Sequence, residues 1–260
     1  ELDPPKHTAF RRALEPIFSP RSMAKLESKV SGRATDLIDK FKDKGQVEFI
    51  KEFATPFPVS IVLDMLGLEQ GRADEFLTWE FNILHTDNMD ARKQAIRSVK
   101  TFLMEEIEQR KLHPTDDLIS NTLNMEADGR KWTTEEVFGH CFNLFIGGLD
   151  TVTANLGLHF HHLATHLEHQ RVLREDPTKV GLAVQELMRA YAAVTTMRIC
   201  KNEMTLHGVT IKPGDRVAMS TPLGSNDPEA YESPQEVRLD RRPVHLSFGH
   251  GIHRCLGAHL

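Results

Sequence analysis

One sulfur and the loop before it offer the clearest chemistry in this sequence. Phe248, Gly249, Gly251, His253, Cys255 and Gly257 stand at the spacing Phe-Gly-x-Gly-x-His-x-Cys-x-Gly. Two glycines so close together allow a tight turn with positive φ, which a residue carrying a Cβ resists. Cys255 leads into an apolar Leu-Gly-Ala run that reads as a helix start, where free N–H groups and the helix dipole stabilise a thiolate. A lone cysteine cannot build a four-thiolate zinc or iron–sulfur site, but it can be the single protein ligand of a haem iron. Gly257 then leaves room for a flat macrocycle, and Phe248 shields the sulfur. The competing reading is a glycine-rich turn with a buried free cysteine.

A second group lies at Gly147-Gly148-Leu149-Asp150-Thr151, inside a long helical pattern. Interior glycines cost roughly 1 kcal/mol each relative to alanine, and polar groups buried there need partners. A shallow groove for a flat cofactor, beside a carboxylate and a hydroxyl, accounts for all of them. The alternative for Thr151 is a hydroxyl bonded back to its own helix. His7 and Arg11 share one helix face; they form either an anion clamp or a solvated basic face, and spacing alone favours the latter. Glu186 and Arg189, three apart, form either a surface pair of little consequence or a structural one. His162 and His166 have two-ligand metal spacing but no third ligand at matching spacing, so a solvated, histidine-rich helix end is expected.

The elements that carry these residues read as mainly helical. Helices are predicted over Asp3–Leu14, from Ser19-Pro20 through Phe41, and over Phe57–Leu66 up to Gly67. Others follow at Ala73–Leu84, Ala91–Lys111 and Asp116–Leu123. Val47–Ile50 reads as a short strand. Thr133-Thr134-Glu135-Glu136 is a capped start to a helix of about 30 residues, about 45 Å long, with a break near His166–Leu173. Val180–Tyr191 is a further helix. Met204–Ile211 alternates as a hairpin turning at His207-Gly208, and Val217–Met219 is another strand. The polar stretch Asn226–Asp240 reads as irregular.

The bulk properties exclude several classes. At 260 residues and a net charge of −5, with dispersed Lys and Arg, nothing indicates nucleic-acid binding. Three scattered cysteines form neither a disulfide framework nor a zinc pattern, and a reducing cytoplasm is expected. No apolar run reaches the roughly 18 residues of a spanning helix.

Taken together, His7-x-x-x-Arg11, Gly147-Gly148-x-Asp150-Thr151, Glu186-x-x-Arg189 and the Cys255 loop resemble, in this order, the cytochrome P-450 family. Within that family the chain resembles the soluble bacterial camphor-hydroxylase type. The resemblance implies a mainly α haem-thiolate fold with small β elements, as one domain over 1–260. It also implies an internal fragment, lacking the N-terminal helices, the pocket roof and the C-terminal segments. The implied cofactor is haem b (iron protoporphyrin IX), with Cys255 as its iron ligand. His7, Arg11 and Arg198 would hold propionates, and Gly148, Phe248, His253 and Gly257 would line the haem. Asp150 and Thr151 would relay protons to dioxygen. The chain departs from that type at Thr196, where those relatives carry Asp, so propionate contacts would differ. The implied activity is monooxygenation of a small apolar substrate such as a terpenoid, with electrons from NAD(P)H through a reductase and a ferredoxin. A peroxide-dependent haem-thiolate enzyme and a non-catalytic haem carrier are the alternatives. Neither needs the Asp150–Thr151 pair.

Overall fold

The computed structural model describes residues 2–260. Local chemistry sets most of its boundaries. Helix α1 (Lys6–Leu14) starts after both prolines rather than at Asp3. Ser19 caps α2 (Pro20–Met23) through Ser22 N–H at 3.3 Å. The long helix expected through Phe41 is instead divided, with a 3₁₀ turn at Ala24–Leu26 before α3 (Glu27–Asp39). Helix α4 (Pro56–Leu66) ends on Gly67 in the left-handed conformation, φ 66°, the usual device for a C-terminus. A Cβ there would also lie 2.5 Å from the Asp117 carboxylate.

Helices α5 (Ala73–Leu84) and α6 (Met89–Leu112) fall where the periodicity puts them, and Asn88 caps α6 through two N–H groups. Helix α7 (Leu118–Leu123) begins two residues later than expected, because Asp117 is its cap, accepting from Ser120 N–H at 2.7 Å. Strands β1 (Glu126–Ala127) and β2 (Arg130–Lys131) form a short hairpin. Helix α8 (Thr134–Thr165) then opens on a reciprocal box. Glu136 N–H donates to Thr133 Oγ1, and Thr133 N–H donates to Glu136 Oε2, which satisfies two otherwise orphaned donors.

The strand expected at Val47–Ile50 does not form; Ile50–Ala54 is a π-helical turn. Phe49, Phe53 and Phe57 are four apart and stack at 5.2 and 5.3 Å. That helical spacing overrides the short alternation around Val47, which finds no partner strand.

Two compact units result: residues 2–153 with 256–260, and residues 154–255. The first is an all-helical core apart from the β1–β2 hairpin. Leu63, Leu66, Leu103, Ile107, Val137, Cys141 and Phe145 are fully buried in it. Val137, Cys141, Phe145 and Leu149 recur at four-residue intervals, so one stripe of α8 faces this core. In the second unit, α9 (Leu167–Glu175) follows the break at His166, and α10 (Val180–Ala190) follows a short 3₁₀ turn.

Strand β3 (Thr195–Ile199) pairs antiparallel with β6 (Arg216–Ser220). Strand β4 (Met204–Leu206) pairs with β5 (Val209–Ile211). The latter turn has His207 at φ 48° and Gly208 at φ 79°, the positive pair that a two-residue hairpin requires. Helix α11 (Thr221–Ser225) leads into the irregular stretch.

Candidate functional site

The Cys255 loop is shaped by its own backbone. Gly249 and Gly251 have φ 67° and 75°, as the two-glycine pattern requires. Cys255 N–H donates to Phe248 C=O at 2.7 Å, closing the turn, and Gly251–His253 is a single 3₁₀ turn within it. Three anchors hold the loop to helices of the second unit. Ser247 Oγ donates to Met188 C=O, Leu246 N–H donates to Ser225 Oγ at 3.2 Å, and His245 Nε2 meets Gln185 Oε1 at 3.0 Å. The thiol of Cys255 is exposed and in no disulfide. The helix expected to open at Cys255 is a hydrogen-bonded turn, Leu260 N–H to Gly257 C=O.

The donor set fits a haem. A single exposed sulfur without a disulfide partner is what thiolate ligation of haem iron needs. Arg198, on β3, donates to Met197 C=O at 2.8 Å, and among the described residues it makes no ion pair with a carboxylate. Its other guanidinium donors suit a propionate. His7 and Arg11 lie on one face of α1, and Arg11 Nε reaches Glu15 Oε1 at 3.3 Å.

Below the loop sits the ionic knot of the second unit. Glu186 and Arg189 are fully buried and joined by two hydrogen bonds of 2.9 Å. Arg189 also donates to the carbonyls of Ser225, Pro234 and Glu236. Glu186 Oε1 accepts Arg238 N–H at 3.0 Å and Arg241 Nε at 3.1 Å. Of the two readings of Glu186-x-x-Arg189, this geometry is the structural one: the pair ties α10 to the irregular stretch leading into the Cys255 loop. Every polar atom of such a buried pair needs a partner, and the carbonyls of that stretch supply them.

The glycine pair in α8 has two different sides. A Cβ on Gly148 would lie 2.9 Å from Val62 Cγ2 of α4, whereas one on Gly147 would meet nothing within 4 Å. Close packing on α4 therefore needs Gly148, and the open side of the helix is at Gly147. Thr151 Oγ1 donates to Gly147 C=O at 2.9 Å, the back-bonded geometry that the neighbouring Gly-Gly and Asp make the lesser alternative from sequence. That bond fixes the hydroxyl beside the open glycine and occupies the carbonyl there.

Asp150 has partners that the sequence did not suggest. Its Oδ1 lies 3.0 Å from Nε2 of His85, the residue that ends α5. His85 Nε2 is also 3.7 Å from Glu80 Oε1. These side chains line a cleft of about 460 Å³ in the first unit, with Thr55, Leu77 and Leu149. Burial, and then the charge of Asp150, raise the Glu80 carboxyl above its ordinary value, against the pull of His85. No spacing relation links Asp150 to a histidine 65 residues earlier, so only the fold reveals the cluster.

The histidines at the end of α8 correct another expectation. His162 is buried, not solvated: its Nδ1 meets Tyr191 Oη at 2.8 Å and its Nε2 meets His169 Nδ1 at 2.9 Å. Burial, followed by the neighbouring His166, lowers His162 to about 4. Tyr191, beyond the end of α10, supplies the polar partner that makes this burial affordable. Among the described residues, these histidines do not converge as a three-ligand metal site.

Comparison with known proteins gives a consistent result. The family model described as Cytochrome P450 matches residues 75–260. The chain is 38% identical to a probable cytochrome P450 127A1 of Sinorhizobium fredii, covering 100% of this chain and 63% of that protein. It is 31% identical to the polyketide biosynthesis cytochrome P450 PksS of Bacillus subtilis, covering 99% and 65%. The solved structure of PksS superposes with a TM-score of 0.94 at 30% identity, over 99% of this chain and 68% of that one. A 6-deoxyerythronolide B hydroxylase of Saccharopolyspora erythraea is 30% identical, covering 99% and 65%. The chain thus spans a little under two thirds of the length of these curated relatives. No helix among the described residues is long and apolar enough to cross a membrane. Motif order, helical architecture and these matches agree, and the chain belongs to the cytochrome P450 family, whose members bind haem b.

Proposed function

We propose that the protein containing this chain is a haem-thiolate monooxygenase acting on a small apolar molecule in the cytoplasm. The observation that carries this reading is the Cys255 thiol, exposed and in no disulfide at the end of a loop set by two positive-φ glycines. Haem, when bound, supplies the activation of dioxygen that puts one oxygen atom into a substrate C–H or double bond, the other leaving as water. Cys255 supplies the thiolate and its electron density. His7, Arg11 and Arg198 would hold the propionates of a bound haem, and Phe248, His253 and Gly257 would line it. Gly148 brings α8 close to α4, and Gly147 leaves the helix open beside Thr151. Asp150 carries protons inward as an acid relay, and Thr151 orders the last donor. The buried Glu186–Arg189–Arg241 group keeps the Cys255 loop in register. The protein's part is orientation and electrostatics, and the cofactor's is the bond chemistry.

The relatives named as hydroxylases and as polyketide-pathway P450s support a biosynthetic substrate, with a terpenoid or polyketide skeleton the first to screen. Electrons come from NAD(P)H through a reductase and a ferredoxin. The polar pair at Asp150 and Thr151 favours this reading over a peroxide-dependent enzyme or a haem carrier. The test is the ferrous–CO spectrum of the full-length protein. The thiolate-dependent red-shifted Soret band is expected in the wild type, Cys141→Ser and Cys200→Ser, and lost in Cys255→His. Its survival in Cys255→His would overturn the assignment.

A further inference from the structure

Glu80 is 8% exposed, and among the described residues its carboxylate has one partner, His85 Nε2 at 3.7 Å. That distance is too long for a hydrogen bond. The same nitrogen is 3.0 Å from Asp150 Oδ1. One proton on Nε2 can serve Asp150 but not both carboxylates, so no hydrogen bond from His85 reaches Glu80. Both acids face one imidazole, and Asp150 and His85 are half exposed to the cleft.

A divalent cation at the position of the Nε2 proton satisfies all three side chains. Ligand atoms bound at roughly 2.1 Å to one ion lie about 3.0–3.4 Å apart. Here one oxygen of each acid and the imidazole nitrogen all lie within 4.8 Å of one another. The closing movement needed is thus at most about 1.4–1.8 Å, and His85 and Asp150 are exposed enough to make it. One imidazole with two carboxylates suits zinc and its first-row neighbours rather than calcium or a soft Cu(I) site. We infer that Glu80, His85 and Asp150 form a zinc-class divalent metal site, with its remaining coordination position open to the cleft. Binding takes up the Nε2 lone pair, so the neutral imidazole carries its proton on Nδ1, and the ion holds the Asp150 carboxylate. If Asp150 relays protons as proposed above, the bound ion is therefore inhibitory.

The test is Zn²⁺ binding to the full-length protein by calorimetry and equilibrium dialysis, with X-ray absorption at the zinc edge. One equivalent is expected with nitrogen and oxygen neighbours. Glu80→Gln and His85→Ala should each weaken it at least about tenfold, since even outer-shell partners cost roughly 10–100-fold. His169→Ala, in the other histidine cluster, should retain it. Identical isotherms in the wild type and both variants would overturn the site, as would loss of the tight equivalent in His169→Ala alone. Turnover separates the two readings. Zinc that slows product formation in the wild type and not in His85→Ala supports both. Zinc that binds through these residues without slowing turnover keeps the site and removes Asp150 from the relay.

Discussion

Glu186→Ala removes the acceptor at the centre of the second unit's ionic knot. Four hydrogen bonds end on Glu186: two from Arg189, one from Arg241 and one from Arg238 N–H. The Arg189 guanidinium stays behind, fully buried. It keeps the carbonyls of Ser225, Pro234 and Glu236 but loses its counter-charge. Bonds to charged groups are worth about 1.5–3 kcal/mol each, but they are not additive once the site relaxes and water enters. The better guide is the loss on breaking a buried pair, about 3–5 kcal/mol. Domains have about 5–15 kcal/mol in all, so the variant keeps a native state with little margin. At about 2–4 °C per kcal/mol for a chain of this size, the melting midpoint falls by roughly 6–20 °C. Thermal and urea unfolding of the full-length holoprotein, followed by circular dichroism and by haem absorbance, measure this. Haem loss should accompany or precede unfolding, because the knot holds the stretch that leads to Cys255. A midpoint within about 2 °C of wild type, with normal haem retention, would show that the pair does not bear this load.

Three further outcomes are expected. Burial lowers His140 to about 4, and its Nε2 has no partner, while the unfolded residue titrates near about 6.5. The unfolded state therefore binds the extra proton between these values, so His140 costs stability progressively as pH falls from about 6.5 to about 4, by up to about 1.4 kcal/mol per pH unit. His140→Phe should flatten that part of the stability–pH curve in urea titrations, and an unchanged slope counts against the assignment. Gly67→Ala forces a positive φ on a Cβ that meets Asp117, so urea unfolding should show a loss of more than about 1 kcal/mol. Thr151→Ala should leave substrate-induced spectral shifts intact while more NAD(P)H is consumed per product and peroxide rises; unchanged coupling removes Thr151 from proton delivery.

Much of this protein is legible in its sequence because the signals are local. Gly67, Asn88 and the Thr133–Glu136 box end or start helices through atoms within a few residues, so their chemistry needs no distant partner. The Cys255 loop is legible for the same reason: its glycines set their own backbone. The π turn at Ile50–Ala54 was missed because stacking of Phe49, Phe53 and Phe57 competes with a strand pattern that has no partner. Other features depend on what lies opposite. Spacing puts Glu186 and Arg189 on one helix face; the family resemblance implies a buried pair joined by Arg241, and packing shows both buried with Arg241 on Glu186. His162 reads as solvent-facing until Tyr191 is found beside it. Glu80, His85 and Asp150 come from two helices with no shared spacing. Sequence alone determined the residue types at Asp150 and Thr151, and the tertiary structure decided that a histidine and a buried acid stand against that carboxylate. Electrostatic partners are chosen by distance in space, which a linear pattern does not encode.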